Sequence, residues 1–416
     1  MAKSKTTLKS DTKIVNSDPK LRYMRYPYSR PHLEKLDLES VIGVLQEQYL
    51  TQGRVLEQLE SALESLFSVK HAVVCNSGTA ALHMAYDGIG LGPKAGLITT
   101  PITFLATANA ARICNAPVAF ADVDPKTGNV TLGTIQEAVA KAPFPIRAIA
   151  IVHLGGRPCD EIDEISAFAK SIGAKLVEDA CHAPLARYSD KFGKLFSVGN
   201  CAHSTVATMS FHAIKHITTG EGGVLLTNDD TLAEKARLLR SHGIIRDASR
   251  MHSRNAADQP WYYEMHELGF NYRLSEINCA LAIHQLGRLH ANISRRQEIA
   301  RQYHICLADI EHVLLPVIPE MNIGLHAWHL FALSIDFLAI QKTRGQVMHQ
   351  LATHGIGSQV HYIPLYHQPY YSSGIKRSLF PGVEKYYANT LSLPMYYGLD
   401  NSDIKRIAKG VRVVLS

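Results

Sequence analysis

Short apolar runs that alternate with helical stretches constrain the fold of this chain more than any other feature of its sequence. These runs occupy residues 72–75, 97–100, 118–121, 148–152, 175–177, 205–210 and 223–227. Their spacing is mostly about 20 to 30 residues, which is typical of strand–helix units in a mainly parallel sheet covered on both faces. The pattern therefore predicts an α/β fold.

The rest of the chain is mostly helical in pattern. Apolar spacing predicts helices over residues 36–50, 55–67, 232–242 and 276–309. Two later runs, 330–335 and 357–362, indicate strands of a smaller C-terminal layer. We therefore expect a large domain at 25–275 and a small α+β domain at 276–416. A disordered tail is expected at residues 1–24.

The composition excludes several other classes of protein. Of 416 residues, 46% are hydrophobic, and the net charge of +6 is spread out without interleaved aromatics, so we expect no nucleic-acid partner. Seven cysteines at irregular spacing, with no CxxC, favour a reducing compartment over a disulfide framework. The polar, lysine-rich start does not resemble a signal peptide, and no run of about 18 apolar residues occurs. We expect a cytoplasmic protein without a membrane segment.

The first motif with chemical meaning is the run NSGTAAL at residues 76–82, between a predicted strand and a predicted helix. Gly78 permits a tight turn, and the free N–H groups of a first helical turn form an anion site to which Thr79 adds a hydroxyl. Taken alone, the run is better explained as an ordinary helix cap by Ser77 or Thr79. It is not a P-loop, because no Gly-Lys-Ser/Thr follows.

The second motif is KLVEDACH at residues 175–182, where an apolar run ends in Glu178 and Asp179. The carboxyl ends of strands in open α/β sheets are where ligands bind. A carboxylate placed there can keep a pyridine nitrogen protonated by charge pairing. The alternative is an acidic cap of a loop or helix.

The third motif runs from Ser210 to Gly223 and places Lys215 in a glycine-flanked loop between two apolar runs. A lysine in that position can form an imine with an aldehyde, and burial would lower the pKa of its amine. The alternative is a surface lysine in a glycine-rich hairpin. His212 and His216 have metal-ligand spacing, but no HExxH-type carboxylate accompanies them, so we expect no metal.

The predicted phosphate site, the carboxylate at a strand end and the lysine in a loop follow one another along the chain. They correspond to the phosphate, pyridine nitrogen and aldehyde of pyridoxal 5′-phosphate (PLP). The order of the three motifs therefore predicts a PLP enzyme, although each motif alone does not.

Longer runs resemble the DegT/StrS-type sugar-nucleotide aminotransferases. The similar segments include VEDACHA, SFHAIKHITTGEGGVLLTND, GFNYRLSEINCALAIHQL, TPITFLATANA, DVDPKTGN, QVHYIPLYHQPYY and LSLPMYYGL, so that the resemblance covers about residues 26–416. The likeness is greatest to the aminotransferases of pseudaminic-acid biosynthesis. Those enzymes aminate C4 of a UDP-linked 4-keto-6-deoxy-N-acetylhexosamine.

This resemblance implies an aspartate-aminotransferase-like fold (PLP fold type I) with a mixed, mainly parallel seven-stranded sheet. It assigns the imine and proton transfer to Lys215 and the pyridinium partner to Asp179. The other cofactor positions that it implies are Gly78, Thr79, Phe104, His182, Ser210 and, from a partner subunit, Asn271. The resemblance also implies that His361 and Tyr362 lie on the substrate side of the site. It further implies glutamate as the amino donor and a homodimer with shared active sites.

Two segments depart from the family pattern. GPKAGL at residues 92–97 stands where the family usually has GPGDEV, and Leu185 replaces a glycine near the cofactor, which puts the shape of the substrate pocket in question. Related sugar dehydratases carry histidine in place of the lysine, so Lys215 favours transamination. A dTDP- or GDP-linked keto sugar and a non-catalytic regulatory role remain as alternatives.

Overall fold

The computed structural model describes residues 24–253 and 259–416. The tail expected at residues 1–24 lies outside the described residues, apart from Met24. None of the described helices is both long and apolar enough to cross a membrane. All seven cysteines are free thiols.

The helices and strands of the described ranges are numbered along the chain. The α-helices are α1 (Lys35–Leu45), α2 (Arg54–Phe67), α3 (Gly78–Gly88), α4 (Ala106–Ile113), α5 (Leu132–Lys141), α6 (Ile162–Ser171), α7 (Asp230–Arg240), α8 (Glu276–Gly287), α9 (Leu289–Leu307), α10 (Arg344–Thr353), α11 (Pro381–Asn389) and α12 (Asn401–Leu415). The strands are β1 (His71–Cys75), β2 (Gly96–Thr99), β3 (Val118–Phe120), β4 (Ile146–Val152), β5 (Lys175–Asp179), β6 (Arg187–Ser189), β7 (Leu195–Ser197), β8 (Val206–Ser210), β9 (Gly223–Thr227), β10 (Ile244–Ile245), β11 (Glu264–Met265), β12 (Val313–Leu314), β13 (Phe331–Ile335) and β14 (Thr390–Leu393).

The central sheet has seven strands in the order β1-β9-β8-β5-β4-β2-β3. β9 runs antiparallel to β1 and β8, and the other neighbouring strands are parallel. Helices cover both faces, so the middle strands are buried on both sides and their sequences are continuously apolar. This architecture confirms the predicted mixed, mainly parallel seven-stranded sheet.

Strand β5 shows how the period of two residues sorts side chains between the faces of the sheet. Leu176 lies in the apolar cluster on one face and Val177 in the cluster on the other. The same alternation sends Glu178 and Asp179 to opposite faces. Only the Asp179 side then opens at the carboxyl edge of the sheet.

A separate apolar core is built by the C-terminal part of the chain. Residues of α9, α10 and α12 pack there against the antiparallel sheet β12-β13-β14. Tyr26 joins this core: its N–H donates to Gly355 O at 2.8 Å, and its carbonyl accepts from Gly357 N at 2.7 Å. The proposed division at residue 275 stays a prediction.

Three expected elements differ in the structure. Residues 357–362 do not form a strand, because their backbone pairs with β14 only at the isolated bridge between Gln359 and Ser392. The helix expected at 276–309 is two helices that meet at Arg288. The first helix ends at Leu45 rather than near residue 50, because residues 46–50 turn before the bridge between Thr51 and Ser275.

Candidate active site

A cavity of about 640 Å³ lies at the carboxyl edge of β5 and β8. Its walls include nine of the ten site residues expected from the sequence: Gly78, Thr79, Phe104, Asp179, His182, Ser210, Lys215, His361 and Tyr362. Positions from residue 78 to residue 362 therefore converge on one space. Asn271 is not part of its lining.

The amino end of α3 opens into this cavity. Ser77 caps the helix by accepting from Ala80 N at 3.1 Å, while the N–H groups of Gly78 and Thr79 have no partner within the helix by helical geometry. A Cβ on Gly78 would lie 2.9 Å from the Ser210 Cβ, and one on Gly223 would lie 2.6 Å from the carbonyl carbon of Ser77. The absence of side chains at these two positions lets β8, β9 and the helix end come together.

Asp179 presents a buried carboxylate at the end of β5. Its Oδ2 accepts from Thr107 Oγ1 at 2.6 Å and its Oδ1 accepts from Cys181 N at 3.2 Å. Since the Thr107 proton goes to the carboxylate, the Thr103 hydroxyl, 2.7 Å away, must donate to Thr107. This relay fixes the carboxylate while it faces the cavity.

Glu178 has a different role from its neighbour. Its carboxylate is buried on the opposite face of the sheet, where it lies 3.0 Å from His153 Nε2 and accepts from the Ser204 hydroxyl. The acidic pair of the sequence thus separates into one carboxylate of the cavity and one of the core.

Lys215 lies in the loop between β8 and β9, and its backbone N–H closes a turn on His212 O at 2.9 Å. Desolvation lowers the pKa of its amine below the ordinary 10.5, and this effect outweighs the opposing influence of Cys181 and Asp179. A larger share of the amine is therefore neutral near pH 7, as a nucleophile or proton acceptor requires.

His182 is held in one tautomer. Its Nδ1 accepts from Gly155 N at 3.3 Å, so the ring proton is on Nε2 and is donated to Tyr362 Oη, 3.1 Å away. Burial, together with Lys215, puts the pKa of His182 well below 6.5, and burial raises the pKa of Tyr362 above 10. The imidazole is therefore neutral, and the phenol keeps a proton that it can donate into the cavity.

Phe104 and His361 occupy different positions in the wall. Phe104 is 58% exposed at the rim, with its ring centroid 6.2 Å from that of Tyr362. His361 is buried, its Nδ1 lies 2.9 Å from Ser392 Oγ, and burial lowers its pKa to about 3. The cavity wall therefore contains an uncharged His361, and one face of the Phe104 ring is free at its rim.

Asn271 is exposed at the protein surface. Its carbonyl accepts from Asn76 Nδ2 at 3.2 Å, and Asn76 N donates to Tyr272 O at 2.8 Å. The segment is thus tied to the loop that precedes α3, while the Asn271 side chain remains available to another molecule.

His212 and His216 do not converge on a common point. His216 is buried and donates through Nε2 to Ala327 O at 2.8 Å, whereas His212 is partly exposed and lies 3.9 Å from Glu221. Their spacing in sequence does not produce a metal-binding pair.

Sequence reasoning missed residues of the cavity wall and the buried threonine that supports Asp179 from behind. Tyr28 and Gln359 line the cavity, the latter as the first residue of the family-like run QVHYIPLYHQPYY. Thr107 contacts Asp179 across 72 positions of the chain. A threonine in a helix carries no local signal for a contact of that range. These positions become visible only once the chain has folded.

The residues of the cavity fit PLP. The amino end of α3 and Ser210 offer donors to a phosphate, Asp179 offers a buried anion to a pyridine nitrogen, and Lys215 offers an amine to an aldehyde. The glycine at position 78 leaves the backbone N–H groups accessible to an anion, since nothing projects from its Cα.

Comparison with known proteins gives a consistent result. The sequence profile of the DegT/DnrJ/EryC1/StrS aminotransferase family matches residues 31–412. The spore coat polysaccharide biosynthesis protein SpsC of Bacillus subtilis is 36% identical over 94% of this chain and 97% of its own length. A Campylobacter jejuni UDP-4-amino-4,6-dideoxy-N-acetyl-beta-L-altrosamine transaminase is 34% identical over 91% of this chain and 94% of its own.

The fold is also that of a solved aminotransferase. Helicobacter pylori PseC, an aminotransferase involved in the biosynthesis of pseudoaminic acid, superposes with a TM-score of 0.83 at 29% identity, covering 94% of this chain and 99% of that one. The seven-stranded sheet with its small C-terminal sheet matches PLP fold type I. On these grounds the chain belongs to the DegT/DnrJ/EryC1/StrS aminotransferase family and is a PLP-dependent sugar-nucleotide aminotransferase.

Proposed function

We propose that this enzyme moves an amino group from glutamate to C4 of a UDP-linked 4-keto-6-deoxy-N-acetylhexosamine. One observation carries the proposal: the amine of Lys215, the carboxylate of Asp179 and the amino end of α3 all face one cavity. That arrangement suits transamination. The name of the Campylobacter relative supports the choice of sugar and carbon.

When bound, PLP supplies an aldehyde for amine exchange and an electron-poor ring that stabilises a carbanion beside it. Gly78, Thr79 and Ser210 hold its phosphate in this proposal, and Asp179 pairs with its ring nitrogen. Phe104 and His182 face the ring. Their positions in the lining support these roles.

Lys215 is the group that moves protons in this proposal. Desolvation lowers the pKa of its amine, so the nitrogen can accept a proton near neutral pH and return it to a nearby carbon. Cys181 and Asp179 act in the opposite direction and favour the protonated form of the amine. A group with both forms accessible can serve as base in one half-reaction and acid in the next.

Tyr362 and His361 line the side of the cavity away from the sheet, and we assign them to the sugar nucleotide. His182 already donates its ring proton to Tyr362 Oη, so the phenolic proton is directed elsewhere and is available to an acceptor such as a sugar oxygen. The neutral His361 adds a polar group without a charge.

A shared-site homodimer is the second part of the proposal. Leu36, Leu38, Ile42 and Leu45 of α1 each leave more than half of their surface exposed. Exposed apolar side chains grouped in this way mark protein–protein contact surfaces, and a second copy is the occupant we propose. Exposed Asn271 would then reach the phosphate bound by the partner subunit.

The experiment is an amino-transfer assay of the purified protein with glutamate against UDP-, dTDP- and GDP-linked 4-keto and 3-keto sugars. We expect the UDP-linked 4-keto-6-deoxy-N-acetylhexosamine to give the highest kcat/KM, with product carrying nitrogen at C4. Lys215→Ala serves as the background control. A higher kcat/KM with a dTDP- or GDP-linked sugar would replace the proposed acceptor, and no transfer to any sugar would refute the activity.

A further inference from the structure

Three potential metal ligands cluster away from the cavity, around the short hairpin of β10 and β11. His266 Nε2 lies 2.7 Å from Glu264 Oε2, and the ring of His252 lies 4.4 Å from the ring of His266, centroid to centroid. One ligand atom from each of these residues lies within 4.8 Å of the other two. The transamination chemistry uses none of them.

Glu264 is fixed by groups that are not themselves candidate ligands. Its Oε2 accepts from His252 N at 2.7 Å, and its Oε1 accepts from Ser253 N at 2.8 Å and Tyr262 Oη at 3.1 Å. These bonds, after the stronger effect of His266, lower the pKa of Glu264 to about 2, so the carboxylate is an anion at neutral pH. They also draw the chain around the carboxylate, which brings the His252 ring over that of His266.

We propose that His252, Glu264 and His266 form a site for one divalent transition-metal ion, with Zn²⁺ as its natural probe. Two imidazole nitrogens and one carboxylate oxygen are a ligand set that such ions prefer over Mg²⁺ or Ca²⁺. Ligands about 2.0–2.2 Å from zinc are about 3–3.5 Å from each other in tetrahedral or octahedral arrangements, which small side-chain shifts here would reach.

Coordination would replace the proton between His266 and Glu264. A protonated His266 would lose its Nε2 hydrogen to solvent, and a neutral His266 would shift that hydrogen to Nδ1. In either case the Nε2 lone pair would bind the metal, and the Glu264 carboxylate would stay charged. His252 is exposed and Glu264 and His266 are partly exposed, so water can complete the coordination shell. This proposal departs from the expectation of no metal, which rested on His212 and His216 alone.

Two other groupings show why this one is chosen. His367 and Glu384 also lie 2.7 Å apart, but they belong to no cluster of three ligands among the described residues. His83, Asp87 and Cys114 do form such a cluster, but Lys235 Nζ lies 2.9 Å from Asp87 and would repel a cation.

The test is a Zn²⁺ titration of the full-length, PLP-loaded protein against a chromophoric chelator. We expect one tight equivalent per chain in the wild type. His252→Gln and His266→Gln should each weaken it by at least the roughly 10- to 100-fold that loss of a supporting partner of a metal ligand costs. The matched control, His367→Gln, breaks a His–Glu contact of the same length and should leave the affinity unchanged.

A second measurement on the wild type does not depend on the variants folding. Co²⁺ bound at this site should give visible ligand-field bands that one equivalent of Zn²⁺ abolishes, and Zn²⁺ should raise the unfolding midpoint. A wild type without a tight equivalent, or a His367→Gln variant that loses affinity as much as His266→Gln, would overturn the proposal. Retention of wild-type affinity in both His252→Gln and His266→Gln would do so as well.

Discussion

Replacing Asp179 by asparagine should abolish most of the catalysis for a reason that can be separated from any damage to the fold. Both carboxylate oxygens accept hydrogen bonds, from Thr107 Oγ1 at 2.6 Å and from Cys181 N at 3.2 Å. An amide has a single acceptor oxygen, so Asp179→Asn sets an NH₂ group against one of these donors. An unsatisfied buried group costs about 1–3 kcal/mol of folding free energy.

The loss of charge is the larger effect on the reaction. Two unit charges about 4 Å apart at an effective dielectric constant of about 20 attract by about 4 kcal/mol. Since about 1.4 kcal/mol corresponds to a factor of ten in rate, losing that attraction at the transition state lowers kcat by about a thousandfold. This estimate applies if Asp179 pairs with the pyridine nitrogen as proposed.

Thr107→Val is the matched control. It removes the 2.6 Å hydrogen bond to Oδ2, worth about 1.5–3 kcal/mol when the acceptor is charged, but leaves the carboxylate in place. Both variants should therefore lose similar unfolding free energy in a denaturant titration. At saturating PLP, however, kcat should fall about a thousandfold in Asp179→Asn and by less than about tenfold in Thr107→Val. The reasoning is refuted if the two variants lose the same activity, or if Asp179→Asn keeps more than a tenth of kcat.

Three further outcomes are expected. Lys215→Ala should retain no cofactor covalently after borohydride reduction, whereas the wild type should retain one per chain; a labelled Lys215→Ala chain would disprove the assignment. Hybrid dimers of Lys215→Ala and Asn271→Ala subunits should regain about half of wild-type activity, because one of their two sites then has neither defect; no regain would show that Asn271 does not act across the interface. Tyr362→Phe should lower the unfolding free energy by about 1–3 kcal/mol, because His182 Nε2 loses its hydrogen-bond partner inside the protein; an unchanged denaturation curve would contradict a stabilising bond between the two side chains.

The strands and the main motifs were predictable because their signals are local. The apolar run at residues 223–227 coincides with β9. Asp179 stands at the end of β5 and Lys215 in the loop after β8, at the edge where α/β sheets bind ligands. The separation of Glu178 from Asp179 also follows from the period of two in a strand, once the strand is assigned. The features that could be predicted from the sequence are therefore those that depend on a few neighbouring residues.

Other features depend on contacts between distant segments. Residues 357–362 have the composition of a strand, but the chain there is held by Tyr26 and by the bridge to Ser392 instead of a ladder. Leu185, where the family has a glycine, adopts a φ of 56°, a region in which L-residues are strained. It does not line the cavity, so it bears on backbone conformation more than on pocket shape. Neither fact is visible in the local sequence.

The two sides of the cavity are built in different ways, and this has a consequence for how such enzymes change their substrates. On the sheet side, the backbone at Gly78 and Gly223 approaches its neighbours so closely that a single methyl group would collide. On the other side, residues 359–363 have irregular backbone with one bridge to the sheet. Substitutions or insertions there would disturb few ladder hydrogen bonds. In the proposed function this segment contacts the sugar, so natural variation and laboratory evolution can explore new acceptors there while the amine chemistry of the sheet side is preserved.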